Sequence, residues 1–512
     1  MDAGATHTDV LVIGSGIAGI SAAIEAARAG ARVTIASLGA TFSGSSFYGG
    51  TWGLGLVGPA GDADADDFAR TIFEVGRGVA DPDLIRVLVT GTEPAVSWLE
   101  SMGIELRRAE NAGQREFVPC FDHKARRWHG LERVSLREAW SRELERLGVT
   151  PLPHCELVDL IEQDGHVACA MLADHAHNTA LLVPCGAIVL ATGGLAGLYD
   201  RRLTGNDVSA ACHGIALAHG ASLVNVEFLQ MMPGLVSPVR GVVANEKAFR
   251  FSTLPLEGEL LDQRSSYGPF TCERAAREVD FAIAAAGPQG LEVSYRLPEE
   301  PPEFVVTYFD WLRETHGIRP DDNVRLAMYA HASNGGIAID ATTHCVGGPE
   351  GLFACGECAG GVHGADRVGG IASAAALVFG RIAGAAAAKE SGRGHAAATN
   401  VAPNWPYSPE TDAVVAEMRH TMTEHAMVVR TEERLATAAQ DVSRLFMRLV
   451  STSGPAREPW QGASTVRATR QLMVAEGLLR AMVERAESRG SHYRADHPAA
   501  NPEMERQLSF SL

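Results

Sequence analysis

Apolar and polar positions follow two rhythms along the chain. Asp9-Val-Leu-Val-Ile13 is a short apolar run, closed by Gly14-Ser-Gly16-Ile-Ala-Gly19 and followed by the alanine-rich stretch Ile20–Ala31, which carries Glu25 and Arg28. A second apolar run, Arg32–Ser37, comes directly after, so the opening reads strand, glycine turn, helix, strand. Phe68–Leu106 has helical periodicity interrupted by Gly and Pro. Leu181–Tyr199 is the longest run without a charge. Pro184 and four glycines break it, which predicts buried strands joined by turns rather than one membrane-length helix. Within it, Ala187–Ala191 is a further apolar strand that ends in Thr192-Gly-Gly194. Residues 235–330 are richer in Pro, Glu and Arg and lack long buried-strand runs, the pattern of an inserted domain. Glycine turns and apolar runs return at 331–384, a linker-like Ala/Gly/Pro/Ser stretch covers 389–409, and 410–489 has helical spacing with Arg/Glu pairs. No internal repeat of about 20–50 residues interrupts this order.

Composition narrows the class. The chain has 512 residues, 46% apolar and 21% charged, as in a soluble globular protein. At roughly 100–200 residues per domain this suggests about three domains. The net charge of −18 argues against nucleic acid or an anionic membrane as the main partner. The opening lacks the basic and apolar regions of a signal peptide. Nine scattered cysteines, an odd number, predict reduced thiols in a cytoplasmic compartment, without membrane insertion.

Gly14, Gly16 and Gly19 fit G-x-G-x-x-G in the strand–turn–helix context that a dinucleotide site requires. The first permits a tight turn, the second lets a pyrophosphate approach the backbone, and the third lets helix and strand pack closely. An acidic residue about 20 positions on would hold a ribose. Here the second strand ends in Ser37, whose hydroxyl is the available donor, and this motif alone leaves FAD and NAD open.

Seven separated segments resemble the flavoprotein family of fumarate reductases, succinate dehydrogenases and L-aspartate oxidases. They are VIGSGIAGISAA with its serine-ended second strand, ATGG (191–194), NVEFLQMMP (225–233), similar to MEFxQFHP, and ERAAREV (273–279). HASNGGIAID (331–340) resembles H-x-x-M-G-G-I, and GLFACGECAGGVHGADRVGG (351–370) is similar to GLYAAGE…VHGANRLGG. ESRGSHYRADHP (487–498) resembles the signature of the family's helical domain. The resemblance implies an α/β fold: a Rossmann-like FAD-binding domain (1–234 and 331–388), an inserted α+β capping domain (235–330) and a C-terminal helical domain (405–512).

The same resemblance implies roles. Arg277 corresponds to the arginine that exchanges a proton with substrate carbon, and Glu246 falls near the glutamate that relays protons to it. His331 and Arg367 correspond to groups that hold a substrate carboxylate. The FAD site is expected to draw Gly14, Ser15, Gly16, Ile17, Ala18 and Gly19 from the turn and Ser37 from the second strand. Ser45, Ser46 and Gly50 come from the loop beyond, Thr192 and Gly193 from the returning strand, and Glu357 and Ser373 from the last segment. A structural salt bridge is the alternative for each charged residue. A hydride moving between flavin N5 and a carbon next to a carboxylate develops negative charge on the substrate. Fixed Arg and His donors stabilise that charge, and a positioned acid serves the opposite face. An arginine with a pKa above about 12 needs a strong electrostatic environment to act as that acid.

The chain departs from the family at several places. The histidine of FHP falls on Met232, a soft apolar side chain, so one end of the pocket is expected to be less polar than a fumarate or aspartate site. The threonine before the relay glutamate becomes Asn245, an FAD-proximal aspartate becomes Ala211, and GGNS becomes Gly369-Gly-Ile371-Ala. Thr41–Gly53 contains no histidine, which predicts non-covalent FAD. Cys355-x-x-Cys358, with His344 and Cys345 nearby, is explained by the Gly-Glu flavin-contact motif between the cysteines, and no metal is expected. His123 and His129 resemble a segment near the flavin, with surface or structural histidines as the alternative, and Lys124–Arg127 reads as a solvated basic face.

The resulting expectation is a cytoplasmic FAD-dependent oxidoreductase acting on a small carboxylate with an unidentified electron acceptor. Fumarate-reductase-like and aspartate-oxidase-like activities compete, and VHGADRVGG and VFGRIAG favour the former. A second reading is the flavoprotein subunit of an electron-transfer complex with an iron–sulfur partner. A third is a flavin-bound protein that has lost catalysis.

Overall fold

The computed structural model describes residues 8–108, 124, 126–391 and 404–512, so His123 lies outside the described residues. Val10–Ile13 has no polar residue and is buried throughout, as a central parallel strand requires. It is the middle of a five-stranded parallel sheet in the order Leu352–Ala354, Ala187–Leu190, Val10–Ile13, Val33–Ser37, Thr150–Pro153. The uncharged run 181–199 resolves into parts of two strands, Thr179–Pro184 and Ala187–Leu190. The first of these closes an antiparallel meander with Cys155–Gln163 and His166–Asp174.

Helix Ile17–Arg28 follows the glycine turn and packs against helix Ile371–Ser391. Gly380 and Gly384 set that close approach, because an added Cβ at either would collide with the carbonyl oxygens of Ala18 and Ala22. Among the described residues, Ile371–Ser391 is the one helix long and apolar enough to cross a membrane, and here it packs against protein.

The chain leaves this domain through Leu229–Ser237 and returns through Val324–Ser333, which pair antiparallel. Val242–Val243 and Leu291–Val293 complete that sheet, and helices Gly258–Arg264, Arg277–Ala285 and Glu303–His316 lie within the same stretch of chain. Both long strands run through positions 234/235 and 330/331. They are largely buried, so the apolar signal of the inserted region sits at its edges rather than in its middle. Arg264 and Asp280, both fully buried, form an ion pair at 2.8 Å that fixes the first two of these helices to each other.

Helices Thr411–His425, Glu432–Ser451 and Pro459–Glu484 form the C-terminal bundle. The segment after it returns to the first domain, where Ser509–Phe510 pairs with Leu223–Val224. Arg485 donates from Nε to Glu227 at 2.5 Å and from Nη1 to Glu487 at 3.0 Å, and Arg489 adds a 2.7 Å bond to Glu487. The Arg485, Glu227 and Glu487 side chains are fully buried. Buried charges persist only when paired. This network therefore ties the ESRG segment to the residues just before strand Leu229–Ser237.

Candidate functional site

Gly14 has φ +105°, and an added Cβ would collide with the Ala191 carbonyl oxygen, so only glycine serves this turn. Above it lies a cavity of about 340 Å³. It runs from Ser37, Leu38 and Glu156 at the edge of the sheet, across Gly14–Ala18, to Met232, His331 and Arg367. A long cradle over a glycine turn and a helix N-terminus is the shape a dinucleotide fills.

Of the predicted cofactor residues, Gly14, Ser15, Gly16, Ile17 and Ala18 line this cavity. So do Ser37, Ser45, Ser46, Thr192, Gly193, Glu357 and Ser373. Ser46 Oγ accepts from the Ile17 N–H at 3.2 Å, which satisfies one donor of the helix start. Glu357 Oε1 accepts from the Ser333 N–H at 3.0 Å, and burial pushes its carboxyl above the usual range. Two predicted contacts sit elsewhere. Gly19 packs on the Gly14 carbonyl, where a Cβ would collide, and Gly50 uses its carbonyl to accept from the Val243 N–H at 2.8 Å. Asp207 carries no motif that would mark it; it lines the cavity and accepts from the Gly44 N–H at 2.7 Å. Its neighbour Ala211 lines the same wall without a polar group.

A second chamber of about 220 Å³ shares part of this wall, including Trp52, Met232, Val243, His331, Arg367 and Gly370. Arg367 donates from Nε and Nη2 to Gln230 Oε1 at 3.2 and 2.8 Å. Gln230 is itself fully buried, so the planar guanidinium is held in one orientation. His331 has a buried Nδ1 without a partner among the described residues, and burial followed by the Arg367 charge brings its pKa down to about 4. His363, on the first cavity's wall, is pushed well below the ordinary histidine value by the same two causes. Both imidazoles are therefore neutral near pH 7, and Arg367 carries the positive charge where the cavities meet.

Glu246 also lines the second chamber. It is buried, and desolvation raises its pKa. Asn245 caps the short helix there by accepting from the Lys247 N–H at 2.8 Å. Arg277 does not line either cavity: as the first residue of its helix it turns its guanidinium back to donate to the Cys272 carbonyl at 2.9 Å. His129 is buried on strand Arg127–Leu131 and lines neither cavity. Cys358 Sγ lies 3.4 Å from Thr192 Oγ1, so it packs beneath the cofactor wall.

Apart from Arg107 at its rim, the rest of the second chamber is largely apolar. Trp52, Trp128, Phe304 and Tyr308 line it beside Met232 and Val243. Trp52 meets Phe304 edge-on at 4.5 Å and Tyr308 at 5.9 Å between ring centroids, and the Tyr308 hydroxyl donates to the Val243 carbonyl at 2.9 Å. Only Met232 among these carried a sequence signal.

Comparison with known proteins places this geometry in context. The profile of a family described as FAD binding domain matches residues 9–253 and 284–373, and one described as Fumarate reductase flavoprotein C-term matches 415–509. The chain is 32% identical to an L-aspartate oxidase of Halobacterium salinarum, over 97% of this chain and 98% of that one. It is 29% identical to a subunit of the CoM/CoB fumarate reductase of Methanothermobacter marburgensis, over 98% and 96%. The solved Mycobacterium smegmatis Sdh1 complex contains a chain of the same fold, with TM-score 0.82, 23% identity and coverage of 98% of this chain and 91% of that one.

Proposed function

The chain belongs to the family of FAD-dependent fumarate reductase and L-aspartate oxidase flavoproteins, and from that premise we propose that it moves a hydride between FAD and a carbon adjacent to a substrate carboxylate. It is an FAD-dependent oxidoreductase. The observation that carries the finer reading is the placement of Arg367 and His331 on the wall shared by the cofactor cavity and the second chamber.

When bound, FAD supplies a two-electron carrier that gives or takes a hydride. The turn residues Gly14–Ala18, with Ser37, Ser46 and Thr192, would hold it, without a covalent bond. The chain's own groups do the rest. Arg367, oriented by Gln230, grips the carboxylate and lowers the energy of the negative charge that grows beside it. His331, neutral, is placed to donate a hydrogen bond to the same group. Glu246, whose buried carboxyl keeps its proton more readily than an exposed one, is the chamber group suited to hold a proton at its Oε atoms for exchange with substrate. Arg277 is suited to a positioning role from behind the wall. All eight described cysteines are free and buried, which supports a reducing, cytoplasmic setting. An electron-transfer partner is supported by the relatives, of which one is a reductase subunit and another belongs to a complex.

The test is anaerobic. Photoreduced enzyme is mixed with a panel of 2-enoic acids, oxidised enzyme with their saturated and 2-amino counterparts, and flavin absorbance is followed. Bleaching or recovery with at least one acid, and with none of the matching amides, is the expected result. Equal rates with acids and amides would refute the carboxylate grip.

A further inference from the structure

Resting on the carboxylate reading above, we infer that the substrate is a monocarboxylic acid whose far end is an aromatic or bulky apolar group, seated against Trp52, Met232, Val243, Phe304 and Tyr308. The charge at the site sets the first limit. Among the described residues, Arg367 is the one guanidinium at the junction and the imidazoles of His331 and His363 are neutral, so these groups offer a single positive charge for a single carboxylate. A second carboxylate deeper in the chamber would face Glu246 and Met232. A buried anion without a cation is strongly disfavoured. The chamber's other guanidinium, Arg107, lies over Trp128 at 5.7 Å, pairs with Glu132 at 3.5 Å and is 38% exposed, so it belongs to the rim.

The opposite wall sets the second limit. Trp52 meets Phe304 and Tyr308 edge-on, leaving flat and angular ring surfaces that favour an aromatic partner. The Tyr308 hydroxyl already donates its proton to the Val243 carbonyl, so that proton is not offered to a polar substrate tail. Such walls lower the free energy of a ligand in proportion to the apolar area it removes from water, and a four-carbon diacid brings almost none.

Binding to the oxidised holoenzyme separates this inference from the reading beneath it, because neither enoate below can reduce bound flavin. Isothermal titration with trans-cinnamate, fumarate and cinnamyl alcohol is read alongside quenching of tryptophan fluorescence. Cinnamate is expected to bind about tenfold or more tighter than fumarate, the alcohol not to compete, and Trp52→Ala or the milder Phe304→Leu to weaken cinnamate by about tenfold while leaving fumarate within about twofold. Fumarate binding as tightly as cinnamate, or both variants leaving cinnamate unchanged, overturns the inference and leaves the carboxylate reading intact. The alcohol binding as tightly as the acid, or neither acid binding, overturns the carboxylate reading and this inference with it.

Discussion

Replacing Arg367 with methionine tests the centre of the proposed mechanism. The side chain keeps its length and apolar stem but loses the charge and both hydrogen bonds to Gln230 Oε1, at 3.2 and 2.8 Å. Two separable costs follow. Inside the protein, Gln230 is fully buried and its Nε2 already lacks a partner among the described residues, so its amide oxygen is stranded as well. An unsatisfied buried acceptor costs about 1–3 kcal/mol, and this part falls on stability. In the complex, the substrate carboxylate enters a wall with no cation, since His331 is neutral at pH 7. Truncating one partner of a buried charge pair costs about 2–5 kcal/mol, which is a fall of roughly 30- to 4,000-fold in kcat/KM.

The division between kcat and KM carries the mechanistic content. A residue that only binds the carboxylate raises KM and leaves kcat unchanged. One that also offsets charge developing in the transition state lowers kcat too. Both changes are expected for Arg367→Met, and their product is the fall in kcat/KM. Arg367→Lys should fall between wild type and Arg367→Met, since it keeps the charge but not the planar fork. Gln230→Leu should lower kcat by about tenfold with little change in KM, because it frees the guanidinium to leave its orientation. Anaerobic stopped-flow of the flavin signal gives the rates, and FAD content and far-ultraviolet circular dichroism confirm that the variants are folded and loaded. If Arg367→Met retains FAD and stays within about fivefold of wild-type kcat/KM, the grip assigned to Arg367 is wrong.

Two further outcomes are expected. Thr41–Gly53 contains no histidine, so acid precipitation should release all the FAD into the supernatant; flavin remaining with the washed pellet would contradict non-covalent binding. Asp366 is buried with Oδ1 unpartnered among the described residues, and burial raises its pKa from 3.8 to about 7. Between those values the native state holds a proton that the unfolded state has lost, so this group makes stability fall as pH rises through the window and stay level above it. Asp366→Asn removes the dependence and should gain stability relative to wild type between pH 5 and 8, by at most about 3 kcal/mol. An equal difference between the two proteins in urea unfolding at both pH values would show that Asp366 does not titrate in this way.

What could be read from the sequence was what is local. The strand, glycine turn and helix at 10–28 are written in consecutive residues, and the steric demand on Gly14 comes from one returning strand that carries its own Thr-Gly-Gly signal. Arg367 and His331 could be named as candidates because short motifs surround them, and Met232 because a histidine is expected in its place. Motif identity did not extend to direction. Arg277 stands in the right run of sequence, yet the start of its helix aims the guanidinium at the Cys272 carbonyl rather than into the chamber. Gly50 was placed by its neighbours, but its contribution is a backbone carbonyl that positions Val243.

The inserted region looked poor in strands because its two long strands straddle its ends. A strand's hydrophobic run identifies a strand but not the sheet it joins. The aromatic wall was the least legible part. Trp52 comes from the loop before strand Leu54–Gly58, Trp128 from the strand that pairs with it, and Phe304 and Tyr308 from one cap helix. On that helix the two rings are four residues apart and so face the same side, which in sequence alone is the signature of a packed core. Trp52 and Trp128 join them only through the tertiary packing of segments far apart in sequence, and there the same spacing describes one wall of a chamber. The residues proposed to select the substrate are thus contributed by long-range packing, whereas those proposed to carry the chemistry sit in short contiguous motifs. That division accounts for a chain whose family is plain from its motifs while the proposal for its substrate rests on the assembled chamber.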